Sequence, residues 1–293
     1  MAWHDQDSWL TAAFAPKLST IVVTLLLTLL LPILLHHFIY RRATPTTLPT
    51  FLLLGPSGAG KTALLTLAER NQVAATRTST SPLAVEALLP EGFTPASSHY
   101  RSPGDPTFER SRCFLLVDTP GHGKLRHFAT AQLADLSNVR GIVFVVDAAA
   151  VAEEAGLNEA AGYLHDVLLT LQKRYTGAKT SKGPKEIPVL VAANKEDLFT
   201  ALPQHLARLE LEKAISRIRK SKATGLKDSG VAMGGEEDAM EDEREWLGEG
   251  GEGPFEFQQM EEVGTSVTVL GGNVLGSEGS DVKGWFEWIA EHL

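Results

Sequence analysis

An α/β fold, a mostly parallel sheet with helices on both faces and one apolar helix ahead of it, is what this sequence predicts. Three observations carry the prediction. Short apolar strands alternate with amphipathic helical stretches from residue 50 onward, the pattern of parallel strands joined by crossover helices. A strand, a glycine-rich loop and a helix follow one another over residues 51–70. An uncharged run fills residues 18–40. The chain has 293 residues, 22% charged and 43% hydrophobic, which excludes a wholly disordered chain and a multi-span membrane protein. Its single cysteine, Cys113, excludes a disulfide framework and a cysteine-based zinc site.

The first element is the run Leu18 to Tyr40, with no charge in 23 residues. A helix of this run covers roughly 27–35 Å, the thickness of a hydrocarbon core. Asp5 and Asp7 near the start, the length of the run and Arg41-Arg42 after it argue against a cleaved signal peptide. The sequence therefore predicts a permanent span at 18–40. The arginine pair places residues 41 onward in the cytosol and residues 1–17 as a short lumenal N-terminus. Residues 41–49 form a linker, stiffened by Pro45 and Pro49.

Residues 50–293 hold the predicted folded domain. A strand at Phe51–Leu54 runs into Gly55-Pro56-Ser57-Gly58-Ala59-Gly60-Lys61-Thr62, which matches GxxxxGK[ST] and opens onto a helix. Small residues let backbone N–H groups converge on phosphate oxygens. Lys61 supplies a cation to the outer phosphates, and the Thr62 hydroxyl is a magnesium ligand. The strand 113–117 ends in Asp118-Thr119-Pro120-Gly121, where Asp118 holds magnesium through water and the Gly121 N–H senses a terminal phosphate. Residues 141–147 are another strand and residues 157–175 an amphipathic helix. The strand 187–194 ends in Asn194-Lys195-Glu196-Asp197, the guanine-reading NKxD pattern. The Asp197 carboxylate accepts two N–H groups that adenine does not offer together. A helix follows over 203–220. Three motifs in order, each at a strand end, point to a P-loop GTPase fold binding GTP or GDP with Mg2+.

Within the small GTPases, DTPGHGKLR (118–126) resembles a segment of the signal recognition particle receptor beta subunit family. The likeness extends to the span, GPSGAGKT, TRTSTS (76–81), NKED and the C-terminal GWFEWIAEHL. The resemblance implies an Arf-like GTPase anchored by one span in the endoplasmic reticulum membrane, with its GTPase domain cytosolic. It implies the receptor alpha subunit as partner, beside the bilayer and a ribosome or translocon nearby, in cotranslational targeting. No sequence-specific nucleic acid is expected. It also places the switch I magnesium ligand at Thr78, with Thr80 as the fallback, and the fifth guanine loop at Thr268 and Val269. His122 stands where many GTPases carry a water-positioning glutamine, and either orients water or is simply exposed with slow turnover. Two other readings stay open: a constitutive membrane anchor with GTP as a structural cofactor, and an Arf-like trafficking GTPase. The permanent span, and Ala2 where myristoylation needs glycine, argue against the second.

The net charge of −9 is unevenly spread: residues 228–262 carry thirteen acids against one arginine, so this stretch alone holds −12 and the rest about +3. An acidic, glycine-rich insert, disordered over 223–262, is therefore expected.

Overall fold

The computed structural model describes residues 18–43, 48–98, 110–177, 186–228, 247–248, 253–276 and 279–293. It divides into two units, Met1–Thr47 and Leu48–Leu293. The first contains helix α1 (Leu18–Ala43). Its described side chains, residues 21–33, are apolar apart from Thr24 and Thr28. Both hydroxyls donate back to carbonyls of their own helix, at 3.0 Å for Thr24 and 2.9 Å for Thr28. Among the described residues no helix is long and apolar enough to cross a membrane. The expected N-terminus at 1–17 and residues 44–47 of the expected linker lie outside the described residues.

In the second unit six strands form one sheet in the order β2-β3-β1-β4-β5-β6. They are β1 (Thr50–Leu54), β2 (Leu83–Leu88), β3 (Cys113–Asp118), β4 (Val139–Asp147), β5 (Val189–Asn194) and β6 (Val267–Gly271). All pairings are parallel except β2 with β3. The helices are α2 (Lys61–Arg70), α3 (Arg126–Ala134), the single turn α4 (Ala148–Val151), α5 (Glu154–Thr176), α6 (Gln204–Asp228) and α7 (Lys283–Glu291). Strand side chains alternate between faces. Leu52 and Leu54 enter a core shared with α3, α5 and α6, while Phe51 and Leu53 enter a second core with α2 and α7. Gly141 lets α7 close on the sheet, since a Cβ there would lie 2.8 Å from the Trp288 ring.

This order puts the carboxyl ends of β1, β3, β4 and β5 along one rim. Loops leaving that rim carry the three motifs, the expected place for a ligand in such a sheet.

Two expectations need correction. The insert does not occupy the whole of 223–262: α6 continues to Asp228, and the chain is back in the core well before residue 262. Leu247, Phe255, Phe257 and Met260 are fully buried, the last two within a 3-10 helix at Phe257–Val263. Polar groups pin this return. Phe257 N donates to Glu212 Oε1 at 3.0 Å, Phe255 N to Ser216 Oγ at 2.8 Å, and Gly248 N to Gln172 Oε1 at 2.8 Å. High acid and glycine content conceals these four apolar anchors. Residues 229–246 lie outside the described part. The second correction concerns the fifth loop. Thr268 and Val269 are inside β6, paired with Leu190 and Val191, and the loop begins at Gly272.

Candidate nucleotide-binding site

The phosphate loop turns out of β1 through glycines whose conformations no other residue adopts cheaply. Gly55 has φ +133, and a Cβ there would sit 2.1 Å from the Val145 carbonyl oxygen. Gly60 has φ +104, and its Cβ would strike the Asn194 amide at 2.1 Å. Gly60 caps α2 without any side-chain hydrogen bond, so the first amides of α2 are left for an anion.

Lys61 is buried, and its ammonium donates to the carbonyls of Gly55 at 2.8 Å and Pro56 at 2.7 Å. Burial pushes its pKa down to about 8, with the Asp118 charge opposing that shift. Asp118, at the end of β3, is fully buried; its Oδ2 accepts from the Thr62 hydroxyl at 2.7 Å. Its Oδ1 is buried with no hydrogen-bond partner. Burial raises the Asp118 pKa, and the Thr62 bond and Lys61 oppose it. An orphaned carboxylate oxygen beside a hydroxyl offers hard oxygen donors, the set that suits Mg2+.

These groups border a cavity of about 480 Å³, large enough for a nucleotide. Ser57, Gly58, Gly60, Lys61, Thr62 and Gly121 line it together with Asn194, Lys195 and Asp197. Thr78 also lines it, within the stretch Thr76–Ser79. Thr80, Thr268 and Val269 are not among the lining residues. Pro56 and Ala59 complete the loop as buried residues. His122 is exposed and also stands outside the lining; its Nδ1 accepts from Lys124 N at 3.3 Å, capping a 3-10 turn.

Asn194 ties two loops together. Its Nδ2 donates to the Ala59 carbonyl at 2.7 Å, and its Oδ1 accepts from Val274 N at 3.0 Å. One amide hydrogen is left over for a ligand. Lys195 adopts a left-handed backbone, φ 65, and its ammonium bonds the Asp147 carboxylate. Asp147 in turn caps α4 through the amides of Ala149 and Ala150. Asp197 is exposed at the rim.

Sequence reasoning missed several of these partners. Val274 and Leu275 stand where Thr268 and Val269 were expected, and Leu275 lines the cavity. Gln204 Oε1 accepts from Gly271 N at 3.1 Å while its backbone N–H donates to Glu196 Oε1 at 3.2 Å, bracing the end of β6 against NKED. The signal available was the left-over polar residue at the start of a helix, which alone says little.

Comparison with known proteins agrees with this geometry. The family model described as signal recognition particle receptor beta subunit matches residues 46–263. Signal recognition particle receptor subunit beta of Saccharomyces cerevisiae is 29% identical over 246 residues, 84% of each chain. Two solved structures from Chaetomium thermophilum are also similar. The receptor SRb-GTP/SRX complex matches at 36% identity, TM-score 0.66, over 83% of this chain and 99% of that one. The SRb-GDP-Mg form matches at 39% identity, TM-score 0.61, over 85% and 100%. The fold is therefore that of a small GTPase, and this chain belongs to the signal recognition particle receptor beta subunit family.

Proposed function

We propose that this chain is a membrane-anchored GTP-binding subunit that holds the receptor alpha subunit at the endoplasmic reticulum for cotranslational targeting. The observation that carries the reading is convergence: phosphate loop, DTPG and NKED line one cavity, with a buried, unpaired Asp118 oxygen beside Thr62. The similar SRb-GTP/SRX complex supports the choice of ligand and partner.

In this reading the loop N–H groups from Ser57 to Thr62 cradle the phosphates, Pro56 shaping the turn that leads into them, and Lys61 gives up its carbonyl partners to meet the outer ones. Thr62 and Thr78 offer oxygens to Mg2+, and Asp118 holds it through water. The bound cation supplies neutralisation of phosphate charge. Asn194 and Asp197 orient and read guanine, Lys195 flanks it, and the loop Gly272–Leu275 closes over its edge. Gly121 meets the terminal phosphate. The exposed position of His122 favours slow turnover, with GTP serving chiefly to order the two switches for a partner. The anchor is the uncharged 18–40 run within α1, in which the Thr24 and Thr28 hydroxyls are satisfied internally as an apolar surrounding demands. Residues 41–49 are the linker and 50–293 the cytosolic domain.

Titration of the detergent-solubilised chain with GTP and with ATP in Mg2+ tests the base choice. Binding of GTP with no measurable ATP binding is expected. Equal affinity for both would remove the guanine reading.

A further inference from the structure

The segment Asp118–Arg126 is fixed at both ends, and its downstream fixing point has no role in the site described above. Upstream, Thr119 is fully buried and bonds Leu53 O twice, from its amide at 3.2 Å and its hydroxyl at 2.7 Å. Downstream, Arg126 opens α3 with its guanidinium 4.4 Å from the centre of the Tyr163 ring on α5. Its Nη2 lies 3.2 Å from Glu159 Oε1, one turn earlier on α5, and its Nε is buried without a hydrogen-bond partner. Tyr163 is a rigid platform, buried and set edge-on against Phe144 in the core at 5.4 Å. Burial pushes its phenol up to about 12, with the Arg126 charge and the Thr119 hydroxyl opposing the shift. This ring thus holds the downstream end of the segment.

Between these ends lie Pro120–Leu125, with His122, Gly123 and Lys124 exposed. Gly121 is pressed onto the phosphate loop: a Cβ there would stand 2.5 Å from the Gly55 oxygen and 2.6 Å from the Lys61 ammonium. Six residues held at both ends can keep Gly121 in that place. With one end loose, the loop gains conformational freedom that a ligand must then remove.

We infer that Arg126 is a positioning residue that, through Tyr163 and Glu159, holds Gly121 against the phosphate loop and thereby sets the preference for a guanosine triphosphate over a diphosphate. The inference rests on the GTP reading above, in which only a terminal phosphate reaches Gly121. Arg126 is not among the residues that line the cavity. A mere staple between α3 and α5 would lower the melting temperature and weaken both nucleotides alike. A positioning residue moves their ratio.

The test is competitive titration of the full chain in detergent with GDP and a non-hydrolysable GTP analogue at saturating Mg2+. Arg126→Ala is expected to weaken the triphosphate by about 3- to 30-fold while GDP stays within about twofold. Tyr163→Leu should do the same, and Tyr163→Phe, which keeps the ring, should restore the native ratio. Arg126→Lys keeps the charge facing Glu159 but not the planar stack, and falls between. Should Arg126→Ala fail to fold, Glu159→Ala carries the test, because that side chain is half exposed. An unchanged ratio in both variants, or equal loss for both nucleotides, overturns the inference while leaving GTP binding in place. A wild-type chain that binds neither nucleotide overturns the reading beneath it and this inference together.

Discussion

At the scale of single residues, Asn194 and Asp197 divide one task between scaffold and recognition. Asn194 spends its amide on the Ala59 carbonyl and the Val274 amide, so Asn194→Ala leaves two buried backbone groups unpaired. That costs about 1–3 kcal/mol, and thermal melting of the nucleotide-free domain should show it. Asp197 is exposed and braces nothing comparable, so Asp197→Asn should leave the melting temperature nearly unchanged. Its effect belongs to the ligand, a shift from guanosine toward xanthosine triphosphate measured by competition. If melting falls for Asp197→Asn and base preference stays fixed, the division of roles is wrong. If Asp118, Thr62 and Thr78 hold Mg2+ as proposed, its removal with EDTA should weaken GTP binding in the same titration. Such residues were legible in the sequence because the phosphate loop, DTPG and NKED are contiguous motifs whose geometry is local. Gln204, Val274 and Arg126 were not, because their partners lie 67, 80 and 33 residues away and only the fold brings them together.

At the scale of elements, legibility follows burial. Strands β1, β4 and β5 are continuous apolar runs covered on both faces, and the sequence announces them. Strand β2 reads LAVEAL, residues with good helix propensity, and most of its side chains are exposed. Only its six-pair antiparallel register with β3 makes it a strand. Strand β6 is visible as an apolar run, but its end is set by pairing with β5, which moves the fifth loop from Thr268 and Val269 to Gly272 and beyond. The insert shows the same logic in reverse. Its composition predicts disorder to residue 262, whereas Phe255, Phe257 and Met260 are core. Phe257→Ala should therefore destabilise the domain by about 3–5 kcal/mol in chemical denaturation. Shortening the acidic stretch within 230–244 should change stability by about 0.6 kcal/mol or less, as its acid- and glycine-rich composition predicts. Comparable losses from both changes would place the acidic stretch in the folded core as well.

At the scale of the whole molecule, two claims meet: an anchor at the N-terminus and a nucleotide switch in the domain. Protease added to sealed microsomes should digest residues 43–293 and leave a short fragment containing 18–40. Full protection of the domain would reverse the orientation. The central claim is the coupling of nucleotide to partner. Thr78 and, from the Asp118–Arg126 segment, Gly121 line the same cavity as the phosphate loop, so a terminal phosphate and a protein docked on these segments favour one arrangement. Linkage then requires each to strengthen the other by the same factor, typically about 5- to 150-fold. Measuring the affinity of the alpha subunit for this chain with GTP, with GDP and without nucleotide, on protein verified as folded, tests this most directly. Tighter binding with GTP, lost in Lys61→Ala, is the predicted result; equal affinity in all three states would contradict it and leave a constitutive anchor.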